Sequence, residues 1–204
     1  IWIDAAANFP DFANSKENIA RDLALAKDAG FTDIVVDVRP TTGDVLFKTN
    51  IVDQVKFMYA WIGSNYTKVE RTATWDYLQA FVDEARKQGL RIHAAINTFV
   101  GGNQIDGGTG LLYRDQSKAE WATQMNMQTG IVSVMNTSES TKFFNPAHPE
   151  VQTFLCDLLK DLASYDLDGI FLDRGRFLNL QTDFSEESRK QFEEYMGCLL
   201  YTSP

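Results

Sequence analysis

The sequence predicts an α/β fold: four strand–helix units in series, the N-terminal half of a (β/α)8 (TIM) barrel, with long loops after the second and third strands. Three observations predict it. Strand-like and helix-like runs alternate, which calls for βαβ crossovers and a parallel sheet. Within each strand one parity is aliphatic, while the other turns polar toward the C-terminal end. No G-x-G-x-x-G follows any strand, so the usual mark of a dinucleotide-binding open sheet is missing.

The strands read at Ile1–Asp4, Asp33–Arg39, Arg91–Asn97 and Gly169–Asp173, each rich in aliphatic or β-branched residues. Ser15 caps a first helix carrying Ile19, Leu23 and Ala26, and Gly30 stops it. Thr74 is the expected cap of the next, with Trp75, Leu78, Phe81, Val82 and Ala85 at helical spacing and Gly89 as its stop. Val151, Phe154, Leu155, Leu158 and Leu162 form the apolar stripe of a third helix. Ser185 caps a fourth, on which Phe192, Tyr195 and Met196 share a face.

Strand parity separates a barrel from an open sheet. Ile34, Val36 and Val38 alternate with Val35, Asp37 and Arg39; Ile92, Ala94 and Ile96 alternate with His93, Ala95 and Asn97. An open sheet covered on both faces would be apolar on both parities. A barrel needs a greasy outer face and an interior whose top layer forms a site.

Residues 41–71 and 98–146 are the two long connections. Within the second, Glu120–Met127 and Ile131–Asn136 are expected to pair as a hairpin about Gln128-Thr129-Gly130. Four strands leave a barrel half built, so residues 1–196 read as a partial domain. The final 197–204 loses the helical pattern with no evident stop and reads as a non-native tail.

A net charge of -9 argues against nucleic acid or an anionic membrane surface, and favours a neutral or cationic ligand. No apolar run is long enough to span a bilayer. Cys156 and Cys198 make no disulfide framework, and Cys156 is expected as a buried free thiol. Two distant histidines make a His-based metal site unexpected, while a carboxylate calcium site stays open. No cofactor is expected.

The segment Asn145-Pro146-Ala147-His148-Pro149-Glu150-Val151, followed by an apolar helix and Tyr165-Asp166-Leu167-Asp168-Gly169-Ile170-Phe171-Leu172-Asp173-Arg174, resembles the glycosyl hydrolase-like family 10 of bacterial (β/α)8 barrels. Asp37-Val38-Arg39-Pro40 with Gly43-Asp44, and His93 to Asn97, add to the resemblance. It implies carbohydrate hydrolysis and export from the cytoplasm. Arg174-Gly175-Arg176 departs from the acidic or aromatic residue that often follows in such families.

Glycoside hydrolysis commonly takes two carboxyl groups, one facing the oxocarbenium-like centre and one donating a proton. Asp173, at the inward end of the fourth strand, is the candidate for the first, with Arg174 or Arg176 expected to hold it charged. Asp37, Arg39, Asn97, Asp4, Arg174 and Arg176 are the candidate substrate contacts, with Arg39 nearer the barrel top than Asp37. Asp37 and Arg39 read equally well as an interior ion pair. His93 is expected to be buried and hydrogen-bonded, His148 to cap or pack, and Asp168 with Gly169 to turn the chain into the strand. Tyr59, Trp61, Tyr66, Phe99 and Trp121 offer rings to sugars, or anchor loops. No inward glutamate ends any of these strands, so the proton donor is expected from later ones and the chain alone is expected to be inactive. A non-catalytic carbohydrate-binding barrel is the alternative. A lyase or isomerase would need a strand-end lysine or a metal cluster, and neither is seen.

Overall fold

A computed structural model describes residues 1–200. The chain opens with β1 (Trp2–Ile3), α1 (Ala5–Phe12), α2 (Lys16–Asp28) and β2 (Asp33–Arg39), followed by the hairpin β3 (Phe57–Ile62) and β4 (Asn65–Glu70). Then come α3 (Tyr77–Gln88), β5 (Arg91–Asn97), β6 (Val100–Asn103) and the single turn α4 (Leu111–Arg114). The hairpin β7 (Gln124–Met127) and β8 (Gly130–Ser133) precedes β9 (Thr141–Phe143), α5 (Pro149–Leu162), β10 (Gly169–Asp173) and α6 (Glu186–Met196).

The fold is α/β around one parallel sheet of strand order β1-β2-β5-β10. Aliphatic residues of one parity pack beneath the helices: Ile34, Val36, Val38, Ile92 and Ala94 are each 0% exposed. The other face curls. Trp2 on β1 and Phe171 on β10 belong to the outermost strands, which in a flat sheet would stand about 14 Å apart. Their rings nevertheless meet edge to face at 4.9 Å, so this face is concave.

Local chemistry sets the helices. The Ser15 side chain accepts from Asn18 N at 3.1 Å, as expected of the α2 cap. The cap of α3 is Asp76 rather than Thr74, because its carboxylate accepts from Gln79 N and leaves Trp75 before the helix. Gly89 ends α3 in the left-handed region. His148 caps α5, its Nδ1 accepting from Glu150 N at 3.2 Å, which agrees with the capping expectation.

Other expectations are corrected. Cys156 is exposed, because it falls between the buried positions Leu155 and Leu158 on the outer side of α5. The α6 stripe has the expected spacing but is largely open to solvent: Phe192, Tyr195 and Met196 are 47%, 86% and 53% exposed. Hydrogen bonds fasten that helix instead: mid-helix Gln191 donates to Ala147 O at 2.8 Å, and Asn145 Nδ2 donates to the cap Ser185 Oγ at 2.9 Å. A stop for α6 does exist. Gly197 takes a positive φ of 64° and Cys198 N returns to Glu193 O. Of the expected tail, residues 201–204 lie outside the described residues.

The long connections are structured. The expected 120s hairpin forms over a shorter span, since residues 116–121 and 134–136 are 3-10 turns. Residues 57–70 form an unexpected hairpin, and β6 pairs with β9 across 37 intervening residues. Gly43 explains the Gly-Asp pair after β2. Its φ is +81°, and a Cβ there would lie 3.0 to 3.1 Å from the Gly101–Gly102 backbone.

Candidate active site

The strand ends on the concave face gather the polar residues of the sequence. Register places Asp37 beside Ala95 and Phe171, and Asn97 beside Asp173 one step higher. Asp173 is half-buried. Its Oδ1 accepts from Arg174 N at 2.7 Å, and its carbonyl accepts from Thr98 N at 2.7 Å. Arg174 makes that turn with a φ of +47°, a conformation that non-glycine residues seldom adopt. Neither Arg174 nor Arg176 forms an ion pair with Asp173 among the described residues. The expected arginine partner is thus replaced by a backbone N–H. Arg176 is exposed, and Arg174 is partly so.

Asp37 is 6% exposed. Burial pushes its carboxyl up to about 7, helped by the neighbouring charges of Asp4 and Asp173 and opposed by the N–H groups of Arg39 and Ala5. Of the two readings for Asp37 and Arg39, the side-chain ion pair is not formed among the described residues; the link is Arg39 N to Asp37 Oδ1 at 3.2 Å.

Arg39 departs most from expectation. A register shift between Asp37 and Arg39 takes it out of the strand alternation, and it is 0% exposed. Its guanidinium donates to Asn97 O, to Thr98 O at 3.3 Å and to Val100 O at 2.5 Å. Burial pulls its pKa down to about 10. Arg39 clamps the turn that follows β5 and has no exposed surface for a ligand.

Asn97 is also engaged, its Nδ2 donating to Arg39 O at 2.9 Å. The two residues thus lock the ends of β2 and β5 reciprocally. Asp4 sits just past β1 as the cap of α1, its Oδ1 accepting from Ala7 N at 2.8 Å; it remains exposed. Below the site, His93 bonds Asp33 at 3.0 Å and is half-buried rather than buried. Gly169 makes room for it, since a Cβ there would sit 2.9 Å from His93 Nδ1. Asp168 accepts from Ile92 N and Arg86, both at 2.8 Å, anchoring the entry to β10.

Two features escaped the sequence reading. Tyr77 is 1% exposed with a phenol that has no hydrogen-bond partner, and burial together with the Asp37 charge raises its pKa. Asp183 gathers Thr123 Oγ1 at 2.8 Å, Gln124 N at 2.6 Å and Ser188 Oγ at 2.6 Å, fastening the segment after β10 to β7. An aspartate two residues before a helix-cap serine was its only sequence sign. Trp121 is a loop anchor, 6% exposed, with its Nε1 on Glu150 at 3.1 Å.

A cavity of about 780 Å³ lies elsewhere: Lys48, Arg71, Trp75, Asp76 and Asp161 line it and no strand-end residue does. Strand-end chemistry outweighs cavity size here, because an uncovered concave face encloses no volume however reactive its groups. Among the described residues no cluster of potential metal ligands occurs, and no helix is long and apolar enough to cross a membrane.

The fold is shared with carbohydrate-active enzymes. An α-L-fucosidase, isoenzyme 2 of Paenibacillus thiaminolyticus, matches at a TM-score of 0.60 and 18% identity, over 97% of this chain and 26% of that one. A hypothetical protein of Ruminiclostridium thermocellum ATCC 27405 matches at 0.59 and 14% identity, over 100% and 96%. The chain belongs to the glycosyl hydrolase-like 10 family, whose profile matches residues 1–197. An S-layer-related protein of Niallia circulans is 30% identical over 204 residues; the match takes in 97% of this chain and spans 12% of that relative's length.

Proposed function

We propose that residues 1–196 are the front half of a (β/α)8 glycoside hydrolase acting on a poly- or oligosaccharide, with Asp173 as its catalytic carboxylate. One observation carries the reading. Asp173 ends the fourth parallel strand on the concave face, half-exposed, with one oxygen bound to a backbone N–H. A carboxylate so held faces an oxocarbenium-like centre without reorganising. Asp4 and Asp37 lie near enough to act on one another's charge and border the same face. The exposed faces of Trp2 and Phe171 on the concave side support a barrel closed by further strands.

Those further strands would supply the proton donor, since no glutamate stands at the four strand ends. Whether configuration is retained follows from the separation of that donor and Asp173. The S-layer-related relative supports export. The binding-only alternative draws on Asp37, the buried carboxyl of the strand ends, being engaged by backbone N–H groups rather than free. Sugar release from a glycan panel by the protein with its barrel complete tests the two. Release that disappears in Asp173→Asn supports the hydrolase; binding without release supports the binder.

A further inference from the structure

The β3–β4 hairpin has two chemically distinct faces. Met58 and Ala60 point inward, 4% and 2% exposed, where the hairpin packs on α1. Register puts Phe57, Tyr59 and Trp61 on the opposite face, with Tyr66 across from Trp61 and Lys68 across from Tyr59. The rings form a continuous row. Phe57 and Tyr59 lie 6.1 Å apart, Tyr59 and Tyr66 stack at 5.3 Å and 28°, and Trp61 and Tyr66 lie at 5.3 Å and 44°. Trp61 is 67% exposed and Tyr66 55%, so much of this row faces water.

The row is held in place and its charge is neutralised. Asp106 accepts from Tyr59 Oη at 2.9 Å and from Lys68 Nζ at 2.6 Å, which fixes the Tyr59 ring and cancels the lysine. Beside it opens a groove of about 370 Å³, lined by Tyr59, Tyr66, Thr41, Thr42, Asn103, Gln104 and Ser140 among others, none of them charged. Such a volume is within the range of small-ligand sites, about 300–1,000 Å³. Thr42 is 6% exposed, and its hydroxyl has no partner among the described residues.

We propose that the aromatic row and this groove form a second carbohydrate-binding site, separate from the strand-end carboxylates, that takes a neutral, hydroxyl-rich glycan. Aromatic faces stack on the C–H faces of sugar rings, and amides and hydroxyls match their edges. An anionic ligand would find no cation, because Lys68 is already paired. Thr41 follows the end of β2 by two residues, so the groove opens beside the strand ends. Resting on the glycosidase reading for this point, the site would hold a stretch of glycan remote from the bond being cut, favouring long substrates over short ones.

The test is native affinity electrophoresis through gels containing soluble starch, dextran, galactomannan or glycol chitin, with polygalacturonate as the anionic comparison. The chain is expected to be retarded in at least one neutral gel. Trp61→Ala and Tyr66→Ala, both at exposed positions, should each weaken that binding about fivefold. Asp173→Asn should leave it unchanged, which separates this site from the catalytic reading. Phe31→Ala, an exposed aromatic near the opposite end of β2, should also leave it unchanged. The proposal is overturned by no retardation in any neutral gel, by retardation in polygalacturonate alone, or by equal effects of Phe31→Ala and Tyr66→Ala.

Discussion

Replacing Arg39 with methionine separates a structural clamp from a ligand contact. The guanidinium donates to three backbone carbonyls, Asn97 O, Thr98 O and Val100 O, and is 0% exposed. Hydrogen bonds from a charged donor contribute about 1.5–3 kcal/mol each net of exchange with water, and two of the three are short, so the set contributes about 3 kcal/mol or more. Burial lowers the group's pKa to about 10, desolvation outweighing the opposing charges of Asp44 and Asp37. A loss of about 3 kcal/mol is therefore expected in Arg39→Met. Urea unfolding followed by tryptophan fluorescence reads it as a fall in midpoint at unchanged slope. Arg39→Lys should recover part of the loss, because an ammonium reaches fewer of the carbonyls. A loss below about 1 kcal/mol in Arg39→Met would refute the clamp and return Arg39 to the list of ligand contacts.

Three further outcomes are expected. The folded-state carboxyl of Asp37, at about 7 against 3.8 unfolded, binds its proton more tightly than the unfolded one. Its contribution to stability is therefore full below pH 3.8 and declines as pH rises through about 7, by up to about 4 kcal/mol. Asp37→Asn should flatten that decline in urea melts run from pH 4 to 8, and an unchanged slope would show that Asp37 is not buried as charged. Gly43→Ala should cost about 2 kcal/mol and lower the melting temperature, since it adds both positive-φ strain and a contact with the Gly101–Gly102 backbone. Cys156 and Cys198 should both react with a thiol reagent in the folded protein, and Cys156→Ser should change stability by less than about 0.5 kcal/mol; a protected Cys156 would contradict its outward placement.

Strands whose pattern is purely local were legible in the sequence. β2, β5 and β10 occupy the expected residues, because aliphatic alternation and turn residues bound each one. The fold itself followed from their alternation with helices. What failed depended on partners distant in sequence or on ambiguous signals. Asp4 reads as a strand end and is the cap of α1, a short helix with Pro10 inside it that is not anticipated from the sequence. The Phe57, Tyr59, Trp61 alternation lies inside a long connection, and only its pairing across Gly63-Ser64 makes it a hairpin. The β6–β9 pairing joins distant segments, and no local pattern announces it. At the site, parity correctly brought Asp37, Asn97 and Asp173 to one region. It failed at Arg39, where a register shift re-aims the side chain, and a bulge of one residue leaves no trace in hydrophobic alternation.

The most direct test of the central claim is glycan hydrolysis by the protein with its barrel complete, measured as reducing-sugar release for wild type and Asp173→Asn side by side. The account predicts release by the wild type and a loss of at least about a thousandfold in the variant, with the fold intact by circular dichroism. Release that survives the substitution would contradict the assignment of Asp173, and binding without any release would contradict the hydrolase itself.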